Sequence, residues 1–255
     1  MLSKAPQLQR LLSNELKTNF DSITLWAYRP GVPDSPFCDK STLPLPPSFL
    51  ADETKEFAEL TLALMALPGA GAPTSFWLES WENDWATRCG SYAHQPASAE
   101  VLVAYGDWLR ARQAGVEQGR EMFCRSRGGG LQQSGGTQTS VVTDCTDQAA
   151  VTAAARINVY MGAEVNLVGE CITNRSCGNI VTAVLPVVPL DYVSYSSYDT
   201  MRTPQLADAL DLIDSLHKRT AASPERSLFI TEFGVPETTT DPKVTRQVRN
   251  KHPMK

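Results

Sequence analysis

Every short apolar run in this chain is separated from the next by a stretch with helical spacing, and that alternation limits the possible folds more than any single motif. The runs are ITLWAY from Ile23, FWLESW from Phe76, INVYMGAE from Ile157, DYVSYS from Asp191 and LFITE from Leu228. Each is rich in β-branched or aromatic residues and is closed by polar residues, glycine or proline, which reads as a strand. Between them lie helical patterns. Phe57, Leu60, Leu64 and Leu67 fall on one side of a helix over 52–67. Val101, Tyr105 and Trp108, with Leu102, Leu109 and Val116, give a broad apolar face over 98–123, weakened by Gly106 and Gly115. A short alanine-rich helix over 147–156 follows, and after Thr203 and Pro204 another helix carries Leu206, Leu210, Ile213 and Leu216 inward. Helices between strands imply parallel strands with right-handed crossovers, hence an α/β fold of repeated βα units.

The strands fall at 23–28, 76–81, 157–164, 191–196 and 228–232. A (β/α)8 barrel is the first architecture to weigh and an open doubly wound sheet the second. The absence of a G-x-G-x-x-G turn after the first strand counts against a dinucleotide-binding sheet. Nothing divides residues 1–255 into two domains. The stretch at 125–143 is rich in Gly, Ser and Gln and reads as a mobile insertion, and the tail at 240–255 is irregular. Leu8, Leu11, Leu12 and Leu16 mark an amphipathic helix over 5–19, and a proline-dense segment from Pro30 to about Leu50 reads as an ordered cover without helix or strand.

The net charge of −5 offers no concentrated basic face, which argues against a nucleic-acid partner. No apolar run approaches the roughly 18 residues of a membrane span, and the first residues are polar with no secretory signal. Six cysteines lean towards an oxidising, extracellular setting. Cys171 with Cys177 can close the loop CITNRSC and Cys124 with Cys145 can clip the insertion, while buried free thiols fit the spacing equally well. No paired C-x-x-C spacing suggests a zinc site.

The chemistry gathers at strand ends. SLFITEFGVPE delivers Glu232 at the end of an apolar run, closed by Gly234 and Pro236, and SFWLESWENDW delivers Glu82 and Asp84 between Trp81 and Trp85. Ligands of α/β folds bind beyond the carboxyl ends of the strands, so acids there face a cleft. Two carboxylates at two strand ends, one walled by indoles, suit hydrolysis of a glycosidic bond.

WENDW, GAEVN, DYVSYSSYD and ITEFG, in that order with helices between them, resemble the retaining glycoside hydrolases built on (β/α)8 barrels, over roughly Ile23 to Glu237. The resemblance implies a general acid/base at the end of strand four, Glu82, and a nucleophile at the end of strand seven, Glu232. Glu164 in GAEVN is the rival acid/base, because Trp81 stands where that superfamily usually carries Asn. On this count ITLWAY is strand three, strands one, two and eight are missing, and the chain is a truncated member whose open barrel edges favour self-association. The substrate implied is an oligo- or polysaccharide. Trp26, Tyr28, Trp81, Trp85 and Tyr195 are then candidates to stack on sugar rings, Asp84, Asn166 and Arg29 to bind hydroxyls, and Tyr195 to hydrogen-bond the nucleophile. Trp108 belongs to a helix core. The chemistry calls for no metal or organic cofactor. The competing reading is a non-catalytic carbohydrate-binding or scaffold relic of such a barrel. A serine hydrolase has no support, since no G-x-S-x-G is present and His94, His217 and His252 lie in a loop, on a helix and in the tail.

Overall fold

A computed structural model describes residues 21–29, 31–33, 35–67, 74–89, 96–128, 157–174 and 177–234. Its five strands are β1 (Ser22–Trp26), β2 (Thr74–Glu79), β3 (Ile157–Val165), β4 (Tyr192–Ser196) and β5 (Leu228–Glu232). All neighbours are parallel, and the spatial order is the sequence order, β1-β2-β3-β4-β5. With no point where the order reverses, the doubly wound alternative does not describe this sheet. It curls instead into a half-barrel, with the helices on its convex side.

The helices are α1 (Pro47–Met65), α2 (Asn83–Thr87), α3 (Ala99–Gly128), α4 (Gly169–Thr173), α5 (Ile180–Ala183) and α6 (Leu206–Leu216). Several bounds differ from expectation for local reasons. α1 begins inside the proline-dense segment, not at 52: Pro46 is its extended N-cap and Pro47 its first residue, where a missing N–H is harmless. The same segment also holds single turns of 3-10 helix at Pro36–Cys38 and Lys40–Thr42. α3 runs past 123 to Gly128, taking in residues that composition assigned to the insertion, with an Arg125–Glu121 ion pair one turn apart on its last turns. In α6 the buried stripe is Ala209, Leu212 and Ile213, while Leu206, Leu210 and Leu216 are half-buried beside it.

Strand alternation divides the sheet. Phe76 and Leu78, Val159, Met161 and Ala163, Val193 and Tyr195 point outward into the core beneath the helices. α1 and α3 cross closely there. A Cβ on Gly115 would stand 2.4 Å from the Thr54 carbonyl oxygen, and one on Gly119 2.6 Å from Thr61 Cβ. Gly115, read from the sequence as a weak point of the helix, is therefore what lets the two helices touch. Trp108 is 1% exposed and packs edge-on against Phe37 and at a tilt against Tyr105 in this layer. Beneath the sheet, Asp191 accepts from Arg120, Gln113, Thr220 and the Met161 N–H, so its buried charge is paired.

Disulfides join Cys38 to Cys89 and Cys171 to Cys177, and Cys124 is disulfide-bonded as well. Cys145, the helices expected at 5–19 and 147–156, residues 129–143 and the tail beyond 234 lie outside the described residues. Among those described, no helix is long and apolar enough to cross a membrane.

Candidate active site

The concave face carries the other half of the alternation. In register across it stand Thr24 and Trp26 of β1, Trp77 and Glu79 of β2, Tyr160, Gly162 and Glu164 of β3, and Tyr192, Ser194 and Ser196 of β4. On β5, Phe229 pairs with Ser194, and simple alternation would put Thr231 next on that face. A register shift between Tyr195 and Ser196 brings Glu232 opposite Ser196 instead. One extra residue thus returns the acid to the concave side, a common use of a bulge beside a functional site.

This face is layered. Its floor is aromatic: the Trp77 ring lies 4.6 Å from Tyr160, 4.7 Å from Phe229 and 5.0 Å from Tyr192. Gly162 leaves room for that floor, since a Cβ there would meet the Tyr192 ring at 2.5 Å. Above it, towards the carboxyl ends of the strands, are the acids Glu79, Glu164, Glu232 and, on the turn after β2, Glu82.

Glu79 is 2% exposed and accepts from Ser194 Oγ at 2.6 Å and Tyr192 OH at 3.2 Å. Burial raises its pKa to about 7 against these donors, with the charges of Glu164 and Glu232 adding to the rise. Glu82 is not at the strand end that sequence placed it on. β2 stops at Glu79, and Glu82 is the N-cap of α2, with a left-handed backbone at φ 39° and ψ 63°. Burial first, then the charges of Glu232 and Glu164, push its pKa to about 7. Burial also raises that of Glu164, opposed by hydrogen bonds from Ser196 and the Glu82 backbone. The Tyr198 hydroxyl bonds the Glu232 carboxylate; what burial Tyr198 has, together with that charge and that bond, raises its own pKa. Acids from three strands and one turn therefore feel one another across a single mouth.

The other residues singled out in the sequence divide between this mouth and its supports. Trp26 and Trp81 are on the rim, 56% and 48% exposed, with ring centroids 6.3 Å apart. Trp85 is half-buried on α2 with the Arg88 guanidinium 5.4 Å over its ring. Tyr195 does not approach Glu232: one residue of parity puts it on the convex side, where its hydroxyl meets Asp199 at 2.5 Å and Thr200 at 2.6 Å. Tyr198, on the turn after β4, holds the position expected of it. Asp84 is 1% exposed and occupied by backbone, accepting the N–H of Asn166 at 2.9 Å, Leu167 at 3.2 Å and Ile180 at 3.0 Å. Asn166 answers by accepting the Asp84 N–H at 3.1 Å. Both fasten the loop after β3 instead of facing a ligand. Arg29 lies between Asp52 and Glu53 and over the Phe49 ring, and its charge is used there. Tyr28 accepts the Trp81 N–H at 2.9 Å and so steadies the rim.

Glu79, Ser194, Ser196 and Tyr198 were not picked out from the sequence. The signal for Glu79 was the alternation of FWLE itself, which sets Trp77 and Glu79 opposite Phe76 and Leu78. Among the described residues no cluster of His, Cys, Asp and Glu is arranged to hold a metal ion. No protein family, curated protein or solved structure matches this chain.

Proposed function

We propose that this protein is a glycoside hydrolase of (β/α)8-barrel lineage that cleaves an oligo- or polysaccharide by the retaining, two-carboxylate route. The observation that carries the reading is the convergence of the two acids on one mouth: Glu164 accepts the Glu82 N–H at 2.7 Å and the hydroxyl of Ser196, and Ser196 is the register partner of Glu232. These acids come from the turn after β2 and from the end of β5, and those strands are three places apart in the sheet, as strands four and seven are in the enzymes the sequence resembles. Glu232 is the nucleophile. Its carboxylate attacks the anomeric carbon as the glycosidic C–O bond breaks, and the leaving oxygen takes the proton of Glu82. Glu82 then removes a proton from water, which displaces Glu232 and frees the sugar. An acid with a pKa near 7 is half protonated at neutral pH and more fully so below it, as a donor must be.

Rim aromatics on both sides support a carbohydrate ligand. Trp26 and Trp81 flank the acids beyond β1 and β2, and the exposed Tyr198 and Phe233 flank them beyond β4 and β5. Aromatic faces of this kind suit the apolar faces of sugar rings. The second reading, a carbohydrate-binding relic without turnover, draws on the same rim and on a concave floor walled by strands on one side among the described residues. Aryl glycosides separate the two. The enzyme reading expects turnover that falls by roughly a hundredfold to ten-thousandfold in Glu232→Gln and in Glu82→Gln. Turnover surviving Glu232→Gln removes the nucleophile, and a parent protein that binds oligosaccharide by calorimetry without turnover leaves the relic.

A further inference from the structure

Glu164 stands between the two acids assigned above, and both of its oxygens are in use. Oε2 accepts the backbone N–H of Glu82 at 2.7 Å, and Oε1 accepts the hydroxyl of Ser196. Its carbonyl takes the side-chain amide of Asn83 at 2.9 Å, and the same amide also bonds the Ser80 carbonyl at 3.0 Å. These contacts surround a backbone that needs holding. Glu82 has a positive φ, a conformation unfavourable for a non-glycine residue, and no side chain caps the helix it opens. On its other side Glu164 reaches Ser196, whose register partner is Glu232.

We infer that Glu164 is a positioning residue whose carboxylate clamps the left-handed turn presenting Glu82 and ties that turn to the strand pair carrying Glu232. Its bonds fit this part and not that of proton donor. An N–H from the turn and an O–H from β4 both point at the carboxylate, so each of its oxygens is engaged by the protein. The rim end of β3 thus serves as a brace: Glu164 fixes Glu82, and Asn166, two residues on, fixes Asp84 in the first turn of α2. The catalytic consequence rests on the proposed roles of Glu82 and Glu232; the clamp itself does not.

Glu164→Gln and Glu164→Ala test it with two readouts. The carboxamide of Gln can still accept the Glu82 N–H and donate to Ser196, so it keeps the shape of the clamp and loses its charge; Ala loses both. In 15N-labelled protein the Glu82 amide proton is expected to move upfield in Glu164→Gln with its exchange protection kept. In Glu164→Ala its exchange should speed up at least about tenfold, the loss of one charge-assisted hydrogen bond. A Glu82 amide unmoved in resonance and protection overturns the clamp, and if the alanine variant fails to fold, an unmoved resonance in Glu164→Gln does so alone.

On aryl glycosides, kcat should fall within about tenfold in the Gln variant, as when one charged acceptor becomes neutral. It should fall by about a hundredfold in the Ala variant with KM little changed, the cost of a misplaced catalytic group. Azide should restore nothing. The limb of the pH profile set by Glu82 should move to lower pH in the Gln variant, which removes the like charge of Glu164. Equal and deep losses in both variants, with azide rescue of the alanine variant, make Glu164 the acid/base and overturn the inference. A parent without turnover removes the glycosidase reading, and the amide readout then decides the clamp.

Discussion

Burial of Glu79 against the Ser194 and Tyr192 hydroxyls makes it a neutral group at mildly acidic pH, and that has a consequence for stability. Its folded pKa, about 7, lies well above the roughly 4.3 of an unfolded glutamate. Between those values the folded state binds the proton and the unfolded state does not, so stability falls as pH rises from about 4.5 to 7. Above pH 7 the charged carboxylate is buried beside Glu164 and Glu232, and the cost is fully present. Glu79→Gln keeps an oxygen for Tyr192 and Ser194 and removes the charge. Thermal unfolding is expected to show the variant more stable than the parent by on the order of 2 to 3 kcal/mol at pH 8 and close to it at pH 5. A variant less stable at both pH values would mean that the charge itself holds the two hydroxyls. The sequence revealed the type of chemistry at this scale and not its addresses. Acids after apolar runs were visible, but the shift that turns Glu232 inward and the left-handed backbone at Glu82 leave no trace in hydrophobic spacing. Tyr195 was misassigned, and Asp84 drawn to the mouth, because parity and hydrogen-bond partners depend on the folded neighbours.

At the scale of elements, five strands and the three longest described helices were legible, because period-2 and period-3.6 spacing is written locally. Their ends were not. Proline at the start of α1 and an ion pair near the end of α3 set those bounds, and both act against the composition around them. Cysteine pairing was readable at Cys171–Cys177, where the loop is short. The Cys38–Cys89 bond joins the segment after β1 to the end of α2 across 51 residues, a pairing that spacing alone does not single out. Chain entropy ranks the two. Loop closure gives about 4 kcal/mol for the longer loop and about 2 kcal/mol for the loop of Cys171–Cys177. Urea unfolding under oxidising conditions should therefore show Cys38→Ser with Cys89→Ser losing about twice as much as Cys171→Ser with Cys177→Ser. Equal losses would mean that the Asp84 bonds to the β3 loop already keep α2 in place when the longer loop is open.

The half-barrel as a whole leaves β1 and β5 without a strand partner among the described residues, and it exposes part of what a closed barrel would bury. Trp77 and Phe229 on the concave floor are only half-buried, and Ile230, on the convex side of β5, is 39% exposed. Unpaired N–H and C=O groups beside apolar side chains are a template for another strand. A second copy can supply one, since a sheet edge is able to pair with its own kind. Sedimentation velocity across the micromolar to millimolar range should then show reversible, concentration-dependent association. Ile230→Lys puts a charge on the β5 edge away from the acids of the mouth, and it should shift the distribution towards monomer without lowering turnover on aryl glycosides. If the parent sediments as one monomeric species throughout, the edges are covered by other parts of the chain, and the concave face then has walls on more sides than the five strands provide. Association that survives Ile230→Lys would point to β1, where Trp26 stands exposed on the rim, as the edge that pairs.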